Sequence, residues 1–334
     1  MPKRVVILTE GGRDIGFGHI TRCTSLYDAF SENGTIPEFV VHGDESVEGL
    51  FYDKKYTRLD WIKMPETLDR VLSGADIAAV DSYLAGREIY ETISMNVNKA
   101  LFIDDYNRID YPKSLVLNGN TYAHDLGYKN INDVTYLLGC RYMPLRKEFW
   151  EIPEKTIRDR VEVIMITFGG VDKAGMTPRI LTALCDEYPA IEKIVMIGKG
   201  FEHVERIKNA ADSKTRLVVS SDASMMKKVE IESDIAVSAG GQTLYELARI
   251  GIPTVAVSVA DNQTRNVKGL RDKGFVFDAG SIRDENIEQK IIGGIEALAD
   301  RAERLERSRI GRKEVDGKGA KRIVDALLFS SVIQ

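Results

Sequence analysis

The chain has 334 residues and a formal net charge of -5, with 46 Lys and Arg against 51 Asp and Glu. At roughly 100–200 residues per domain, this length predicts two domains. With 43% hydrophobic and 29% charged residues, wholesale disorder is excluded. The acidic balance argues against general nucleic-acid binding, because neutralising phosphates requires a basic face.

The sequence shows no pattern typical of a signal peptide, a membrane span or a set of paired cysteines. The first apolar run, Val5–Leu8, is too short for a signal-peptide core, and no run approaches the roughly 18 residues of a membrane span. Three widely separated cysteines form neither a disulfide framework nor a zinc pattern (Cys23, Cys140 and Cys185). We therefore expect a cytoplasmic protein with no integral membrane contact, and we favour a monomer.

The first half alternates short β-branched runs with helical patterns. Apolar residues at helical spacing predict a helix at His19–Asn33. Strands are predicted at Arg4–Thr9, Glu38–His42, Asp76–Asp81, Ala100–Ile103 and Val134–Leu138. Continuous apolar strands between helices indicate a parallel sheet that is covered on both faces.

The segment Cys140–Arg160 is rich in charge and aromatic residues and is interpreted as a connector, after which the alternation restarts. Strands are predicted at Val161–Phe168, Lys193–Ile197, Arg216–Val219, Ile235–Val237, Thr254–Val257 and Val276–Phe277. Helices are predicted at Ala174–Glu187, Phe201–Ala211, Thr243–Ile250 and Asn262–Lys273, with a helical stretch from Asp284 to about Leu328. The sequence thus predicts two α/β domains, 1–150 and 151–334, each a Rossmann-like parallel sheet, with the last helix able to pack back on the first domain. Ligands of such sheets bind at the carboxyl ends of the strands, so we expect one cleft between the two halves.

A glycine-rich turn joins the first strand to the first helix. Gly16 and Gly18 would let the backbone approach a ligand, and the following helix start presents free N–H groups. The dinucleotide fingerprint G-x-G-x-x-G is only half met, and no Gly-Lys-Ser/Thr follows, which excludes a P-loop. His19 opens the helix, where the helix dipole should lower its pKa and leave a neutral general base. The alternative is a histidine that only bonds a nearby carbonyl; likewise, Arg22 is either an anion contact or a salt-bridged surface residue.

Further polar and glycine clusters follow predicted strands. Gly240, Gly241, Gln242 and Thr243 open a helix whose start could hold a diphosphate, and Glu246 lies one turn further, where it could accept hydrogen bonds from ribose hydroxyls. The other clusters are Asn262 with Gln263, Gly169 with Gly170, and Asp81 with Tyr83. Each could also be an ordinary turn or a helix cap. No metal site is expected, because the four histidines are isolated and the pair Asp104–Asp105 alone is a weak cation signal.

Together these motifs resemble one family. The pieces are Gly16–Cys23, Asp81–Tyr83, Tyr142–Phe149, Thr167–Asp172, Ser238–Glu246 and Asp261–Gln263. Their order and spacing resemble the UDP-sugar hydrolase of pseudaminic acid biosynthesis and its relatives in spore-coat polysaccharide biosynthesis, across about residues 4 to 275. More distantly, the glycine loops resemble the lipid-linked peptidoglycan N-acetylglucosaminyltransferase, which has the GT-B architecture of two Rossmann-like domains.

The resemblance implies hydrolysis of a UDP-activated amino or deoxy sugar with inversion at the anomeric carbon, without a cofactor or metal. His19 matches the catalytic histidine, Tyr83 a tyrosine on the substrate side, Glu246 the ribose-binding glutamate, and 240–243 the diphosphate loop. The family's Gly-Gly-x-Asp motif usually has Asn three residues after the Asp, where this chain has Gly175. A glycosyltransferase of the same fold is the alternative. A third hypothesis is a non-catalytic nucleotide-sugar sensor or a dinucleotide-binding protein.

Overall fold

The computed structural model describes residues 2–51, 53–219 and 222–329. The chain divides into two compact units: the first contains Met1–Lys147 together with Gly317–Gln334, and the second contains Glu148–Asp316. Each unit is a parallel β-sheet with helices, so the predicted α/β class with parallel sheets is confirmed.

The first unit is built on a seven-stranded parallel sheet in the order β3-β2-β1-β4-β5-β6-β7. Strand β1 (Arg4–Gly11) lies inside this sheet, and its residues Val5, Val6, Ile7 and Leu8 are each 0% exposed, as expected for a strand covered on both faces. Its strands are β1 (Arg4–Gly11), β2 (Ile36–Gly43), β3 (Tyr56–Arg58), β4 (Ile77–Asp81), β5 (Lys99–Ile103), β6 (Ser114–Asn118) and β7 (Val134–Leu138). Its helices are α1 (Gly18–Glu32), α2 (Leu68–Leu72), α3 (Arg87–Asn96) and α11 (Gly319–Phe329).

The second unit repeats the plan with six parallel strands in the order β10-β9-β8-β11-β12-β13. The strands are β8 (Val163–Thr167), β9 (Glu192–Ile197), β10 (Thr215–Val219), β11 (Ile235–Ala239), β12 (Thr254–Ser258) and β13 (Val276–Ser281). The helices are α4 (Met176–Glu187), α5 (Val204–Ala210), α6 (Ala223–Glu232), α7 (Thr243–Ile250), α8 (Asp261–Asp272), α9 (Ile287–Ala297) and α10 (Arg301–Glu314).

Both sheets reverse their strand order at one point, between β1 and β4 in the first unit and between β8 and β11 in the second. At such a switch point the two loops leaving the strands diverge to opposite faces and open a crevice for a ligand. In the first unit the register pairs Thr9 with Asp81, and in the second it pairs Thr167 with Ser238. The motifs singled out in the sequence follow these strand ends.

Helix α11 belongs to the first unit although the second unit precedes it in the chain. It buries Ile323, Val324 and Leu327, and it packs beside α1. Gly319 approaches the backbone of Met143 so closely that a Cβ would lie 2.1 Å from the Met143 carbonyl oxygen. Glycine is therefore required for this approach.

Several elements were not predicted from the sequence. Strands β3 and β6 and helices α2, α3 and α6 are additional, and the predicted C-terminal helical stretch is three helices. Asp300 caps the start of α10, where its carboxylate accepts a hydrogen bond from the Ala302 N–H at 3.0 Å. Gly317, at φ 76, separates α10 from α11 because it adopts a left-handed conformation that other residues rarely take. Among the described residues, no helix has both the length and the apolar character needed to cross a bilayer.

Candidate active site

The polar cluster of the first unit lies at its switch point. Strand β1 ends in a glycine turn in which the Gly12 N–H donates to the Gly16 carbonyl at 3.1 Å and the Gly16 N–H donates to the Gly12 carbonyl at 2.7 Å. Gly12 and Gly16 have φ values of 143° and 89°, which explains glycine at both positions. A Cβ at Gly16 or Gly18 would meet no atom within 4 Å. The turn therefore leaves open space beside the start of α1, where His19 lies.

His19 is bonded to Asp81 across this switch point. Its Nδ1 atom lies 2.7 Å from Asp81 Oδ1, and the histidine is 8% exposed. Burial lowers the pKa of His19, but the charge of Asp81 and the hydrogen bond to it raise the pKa by more, so the pKa lies above its ordinary value. The expectation of a lowered pKa was therefore wrong, because a carboxylate in direct contact outweighs the partial charge of a helix end.

Asp81 is also the centre of an ion-pair network. Arg22 donates from Nε to Asp81 Oδ2 and from Nη2 to Asp81 Oδ1, both at 2.7 Å, and from Nη1 to Asp105 at 2.8 Å. Burial works against the charge of Asp81, but Arg22 and His19 together hold the pKa of this carboxyl well below its usual range. The guanidinium of Arg22 is thus engaged by two aspartates, and its role as an anion contact stays a prediction.

Tyr83 contacts both Asp105 and His19 of this cluster. Its hydroxyl donates to Asp105 Oδ2, and its ring meets the His19 ring edge to face with the centroids 4.4 Å apart. Burial, followed by the charge of Asp105, raises the pKa of Tyr83 far above its ordinary value. The phenol therefore stays protonated at any physiological pH. Tyr106 packs on the outer side of Tyr83, with ring centroids 5.5 Å apart.

Sequence reasoning missed Glu10 and Asn120, and it noted Asp105 only as part of a weak cation signal. Glu10 is 1% exposed; its carboxylate accepts from the Tyr83 N–H at 2.8 Å and from the Ser82 hydroxyl, and it lies 3.9 Å from His19 Nε2. Asn120 donates from Nδ2 to Asp105 at 2.7 Å. Glu10 immediately follows the predicted first strand, so its position at a strand end was a usable signal. Asn120 follows β6, which was not predicted, and gave no signal.

The arrangement favours proton uptake at one atom. Because Asp81 accepts the hydrogen of Nδ1, the neutral imidazole carries its lone pair on Nε2. When Nε2 takes a proton, the resulting imidazolium is stabilised by Asp81 and Glu10. The same carboxylates favour any other positive charge that develops beside the ring.

In the second unit the predicted diphosphate loop follows β11. The Gly240 N–H donates to the Val257 carbonyl at 2.9 Å and to Gln263 Oε1 at 2.9 Å. Gln263 Oε1 also accepts from the Val259 N–H at 3.2 Å. Gln263, predicted to bind substrate, thus links the loop after β11 to the loop after β12 through its amide oxygen. A Cβ at Gly240 would lie 2.6 Å from Val267 Cγ2, whereas the nearest atom to a Cβ at Gly241 would be 3.8 Å away.

Helix α7 begins at Thr243, directly after Gln242, and Glu246 lies in its first turn at 3% exposure. Asn262 lies in the first turn of α8 and is exposed. The loops that carry Gly240–Gln242 and Gly169–Gly170 leave the two strands of the switch point. The roles predicted for these residues toward UDP stay predictions.

The turn Gly169–Asp172 leads into α4. Asp172 accepts hydrogen bonds from the Met176 N–H at 3.0 Å and the Thr177 N–H at 2.7 Å, so this aspartate caps the helix. Gly175 adopts a left-handed conformation at φ 62 and ψ 32. Asparagine is among the residues that best tolerate this conformation, so Gly175 and the Asn expected from the resemblance satisfy the same backbone requirement.

Among the described residues there is no group of three or more His, Cys, Asp or Glu side chains arranged to hold a metal ion. Two carboxylates of the cluster, Asp81 and Asp105, both bind Arg22. The polar atoms of this cluster are thus directed at one another and at His19.

Comparisons with known proteins support the resemblance found in the sequence. No family model matches the chain. It is 24% identical to the spore coat polysaccharide biosynthesis protein SpsG of Bacillus subtilis, over 97% of each chain. It is 22% identical to the pseudaminic acid cytidylyltransferase and UDP-2,4-diacetamido-2,4,6-trideoxy-beta-L-altropyranose hydrolase of Helicobacter pylori, over 84% of this chain and 48% of that protein. It is also 21% identical to the uncharacterized protein MJ1062 of Methanocaldococcus jannaschii, over 76% of this chain and 55% of that protein. The chain thus spans about half the length of the last two relatives.

Solved structures confirm the predicted GT-B fold. MurG of Acinetobacter baumannii superposes with a TM-score of 0.68 at 17% identity, over 98% of this chain and 99% of that one. The Staphylococcus aureus MnaA–UDP co-structure superposes with a TM-score of 0.66 at 12% identity, over 97% and 96% of the two chains. Two of the sequence relatives thus carry names from polysaccharide and pseudaminic acid biosynthesis, and the solved structures show that the chain shares the GT-B fold.

Proposed function

We propose that this protein hydrolyses a UDP-activated amino or deoxy sugar and releases UDP and the free sugar. A water oxygen attacks the anomeric carbon, and the bond from that carbon to the diphosphate oxygen breaks with its electron pair leaving on UDP. His19 Nε2 takes the proton of the attacking water. A single displacement of this kind inverts the anomeric centre.

The observation that carries the proposal is the pair of His19 and Asp81 at 2.7 Å, with Tyr83 against the imidazole. The hydrogen bond from Nδ1 directs the basic Nε2 away from Asp81, and the carboxylate stabilises the imidazolium formed in the reaction. General-base catalysis of this type contributes about 10²–10⁴-fold. The acidic surroundings of His19 also suit a sugar ring that gains positive charge as its anomeric bond breaks.

UDP is assigned to the second unit. The helix α7 begins directly after Gly240–Gln242, and a helix N-terminus favours a diphosphate without requiring a metal. Glu246, one turn further, is assigned to the ribose hydroxyls. The acidic cluster around Asp81 would repel a diphosphate, which supports assigning the sugar to the first unit and UDP to the second. No cofactor is needed for this displacement.

The test is a screen for UDP release from UDP-2,4-diamino and UDP-2-acetamido sugars with no acceptor present. We expect release by the wild type with at least one donor, and a loss of about 10²–10⁴-fold in kcat for His19→Asn. Wild-type rates in that variant would overturn the role of His19. His203→Asn, a change in the second unit, controls for histidine replacement.

The second candidate function is a glycosyltransferase of the GT-B class. The observation in its favour is the close superposition with MurG, over 98% of this chain. A transferase would release UDP only when an acceptor is added, so the same screen, run with and without polysaccharide-precursor acceptors, separates the two functions.

A further inference from the structure

The hydroxyl of Tyr83 is committed to one partner. Asp105 is 6% exposed, and its carboxylate accepts from Arg22, from Asn120 at 2.7 Å and from the Tyr83 hydroxyl. An ionised carboxylate can only accept hydrogen bonds, and a phenol has a single proton to donate. The Tyr83 proton is therefore held by Asp105, and what the phenol oxygen offers to other groups is its lone pairs.

Tyr83 is nevertheless accessible, with 37% of the residue exposed beside the His19 ring. We propose that Asp105 is a positioning residue that fixes Tyr83 as a hydrogen-bond acceptor for a donor on the sugar, either an acetamido N–H or a hydroxyl. This inference rests on the proposed function. It gives Tyr83 a binding role and excludes it as the general acid or base.

The surroundings of Asp105 support a fixed orientation. Arg22 Nη1 donates to both carboxylate oxygens, at 2.8 and 3.0 Å, and Asn120 Nδ2 donates to Oδ1 at 2.7 Å. Burial raises the pKa of Asp105, but the charge of Arg22 and the hydrogen bonds from Arg22 and Tyr83 together outweigh burial, so the pKa lies below its ordinary value and the carboxylate is ionised. The acceptor for the Tyr83 proton is therefore an ionised carboxylate that two other side chains also hold by hydrogen bonds.

The test is a double-mutant cycle on UDP release with Tyr83→Phe, Asp105→Asn and the double variant. We expect each single change to lower kcat/KM about tenfold, mainly through KM, because each removes or misdirects one hydrogen bond to the substrate. The double variant should lose no more kcat/KM than Tyr83→Phe alone, because Asp105 acts through Tyr83. A loss in the double variant equal to the product of the two single losses would overturn the proposal.

Two controls separate this role from a structural one. Asp110→Asn makes the same chemical change at an exposed aspartate paired with Lys129, and it should leave kcat and KM unchanged. In Asp105→Asn, the acid limb of the pH profile of kcat/KM should lie at the same pH as in the wild type, since Asp81 is the aspartate bonded to the imidazole. A shifted limb would mean that Asp105 acts through His19 and would overturn the proposal. If Asp105→Asn fails to fold, Asn120→Ala replaces it in the same cycle, with the same non-additivity expected.

A comparison of UDP-N-acetylglucosamine with UDP-glucose assigns the donor on the sugar. Non-additive losses for Tyr83→Phe and Asp105→Asn with both sugars support a hydroxyl donor. Non-additive losses with the acetamido sugar alone support the amide N–H. If the wild type releases UDP from no donor, the proposed hydrolysis fails. The cycle is then measured on calorimetric binding constants for the same sugars, where additive losses would still overturn the inference.

Discussion

Nδ1 of His19 lies 2.7 Å from Oδ1 of Asp81, although the two residues are 62 positions apart in the sequence. The contact forms because β1 and β4 are neighbours at the switch point, so the loop after one strand meets the end of the other. This hydrogen bond sets the tautomer of the imidazole, and the charge of Asp81 together with the bond outweighs burial and raises the pKa of His19.

The pH dependence of catalysis should report this contact. A general base works only when unprotonated, so the acid limb of the kcat/KM profile should lie above the ordinary histidine pKa near 6.5. Asp81→Asn removes the charge that raises the pKa of His19, and the limb should therefore move to lower pH. Steady-state rates from pH 5 to pH 9 measure this. An unmoved limb would show that another group titrates.

The stability of the folded protein should depend on the same proton. Because the folded-state pKa of His19 is raised, its stabilisation is fully present below the unfolded pKa and is lost as pH rises through the folded pKa. The stability advantage of the wild type over His19→Asn should thus shrink between pH 5.5 and pH 8.5. Each tenfold difference in proton affinity corresponds to about 1.4 kcal/mol. Urea unfolding of both proteins at the two pH values provides the measurement, and a growing advantage would contradict it.

Arg22 should be far more important for folding than an exposed arginine. Arg22→Gln leaves the buried Asp81 and Asp105 without their guanidinium, and breaking a buried pair in this way costs about 3–5 kcal/mol. Arg87→Gln, which breaks an exposed pair with Glu91, should change stability little. Chemical denaturation of the two variants compares them. Equal effects would mean that the network contributes nothing to folding.

Gly240 and Gly241 should respond differently to alanine. Gly240→Ala places a Cβ 2.6 Å from Val267 Cγ2 and 2.9 Å from Gln263 Cβ, and overpacking of this kind costs about 1–3 kcal/mol. Gly241→Ala has no such neighbour and should fold normally. If 240–243 binds the diphosphate, Gly241→Ala should still weaken UDP binding measured by calorimetry. Normal stability of Gly240→Ala would contradict the close packing.

Substitutions at Gly175 test whether glycine can replace the Asn of the family motif because both residues tolerate the left-handed backbone conformation. At φ 62, Gly175→Ala should cost about 1–2 kcal/mol, whereas Gly175→Asn should cost less, because asparagine tolerates the left-handed region. Thermal unfolding of the two variants measures this difference. The screen for UDP release should be repeated with Gly175→Asn, since a changed sugar preference would show that the side chain at this position also contacts substrate.

Much of the fold could be predicted because the strands are continuous apolar runs of the kind that buried parallel sheets require. Strand β1 was predicted almost whole, whereas β3, with only three residues at a sheet edge, carries too short a pattern to be recognised. Strand β6 is fully buried but was missed, because its five residues include Ser114 and Asn118 at the ends. Length and end composition therefore decided which strands could be recognised.

The site was only partly predictable. The glycine turn identified His19 and the strand end identified Asp81, but their bond depends on strand order, which no local pattern encodes. For the same reason, the pKa of His19 was predicted from its own helix and had the wrong direction. Gln263 was predicted as a ligand because amide and carboxylate side chains cluster after one strand and match the family motif, whereas the structure shows its amide oxygen accepting from the Gly240 and Val259 N–H groups.

The assignment of α11 to the first unit has a consequence for biosynthesis of the chain. Residues 1–147 emerge from the ribosome long before Gly319, so the first unit lacks α11 until the second unit has been translated. The first unit can complete its folding only at the end of synthesis, while the second unit, continuous from Glu148 to Asp316, can fold earlier. A fragment that ends before Gly317 should therefore expose the surface of α1 that α11 packs beside, and it should aggregate more readily than the 334-residue chain unless an α11 peptide is added.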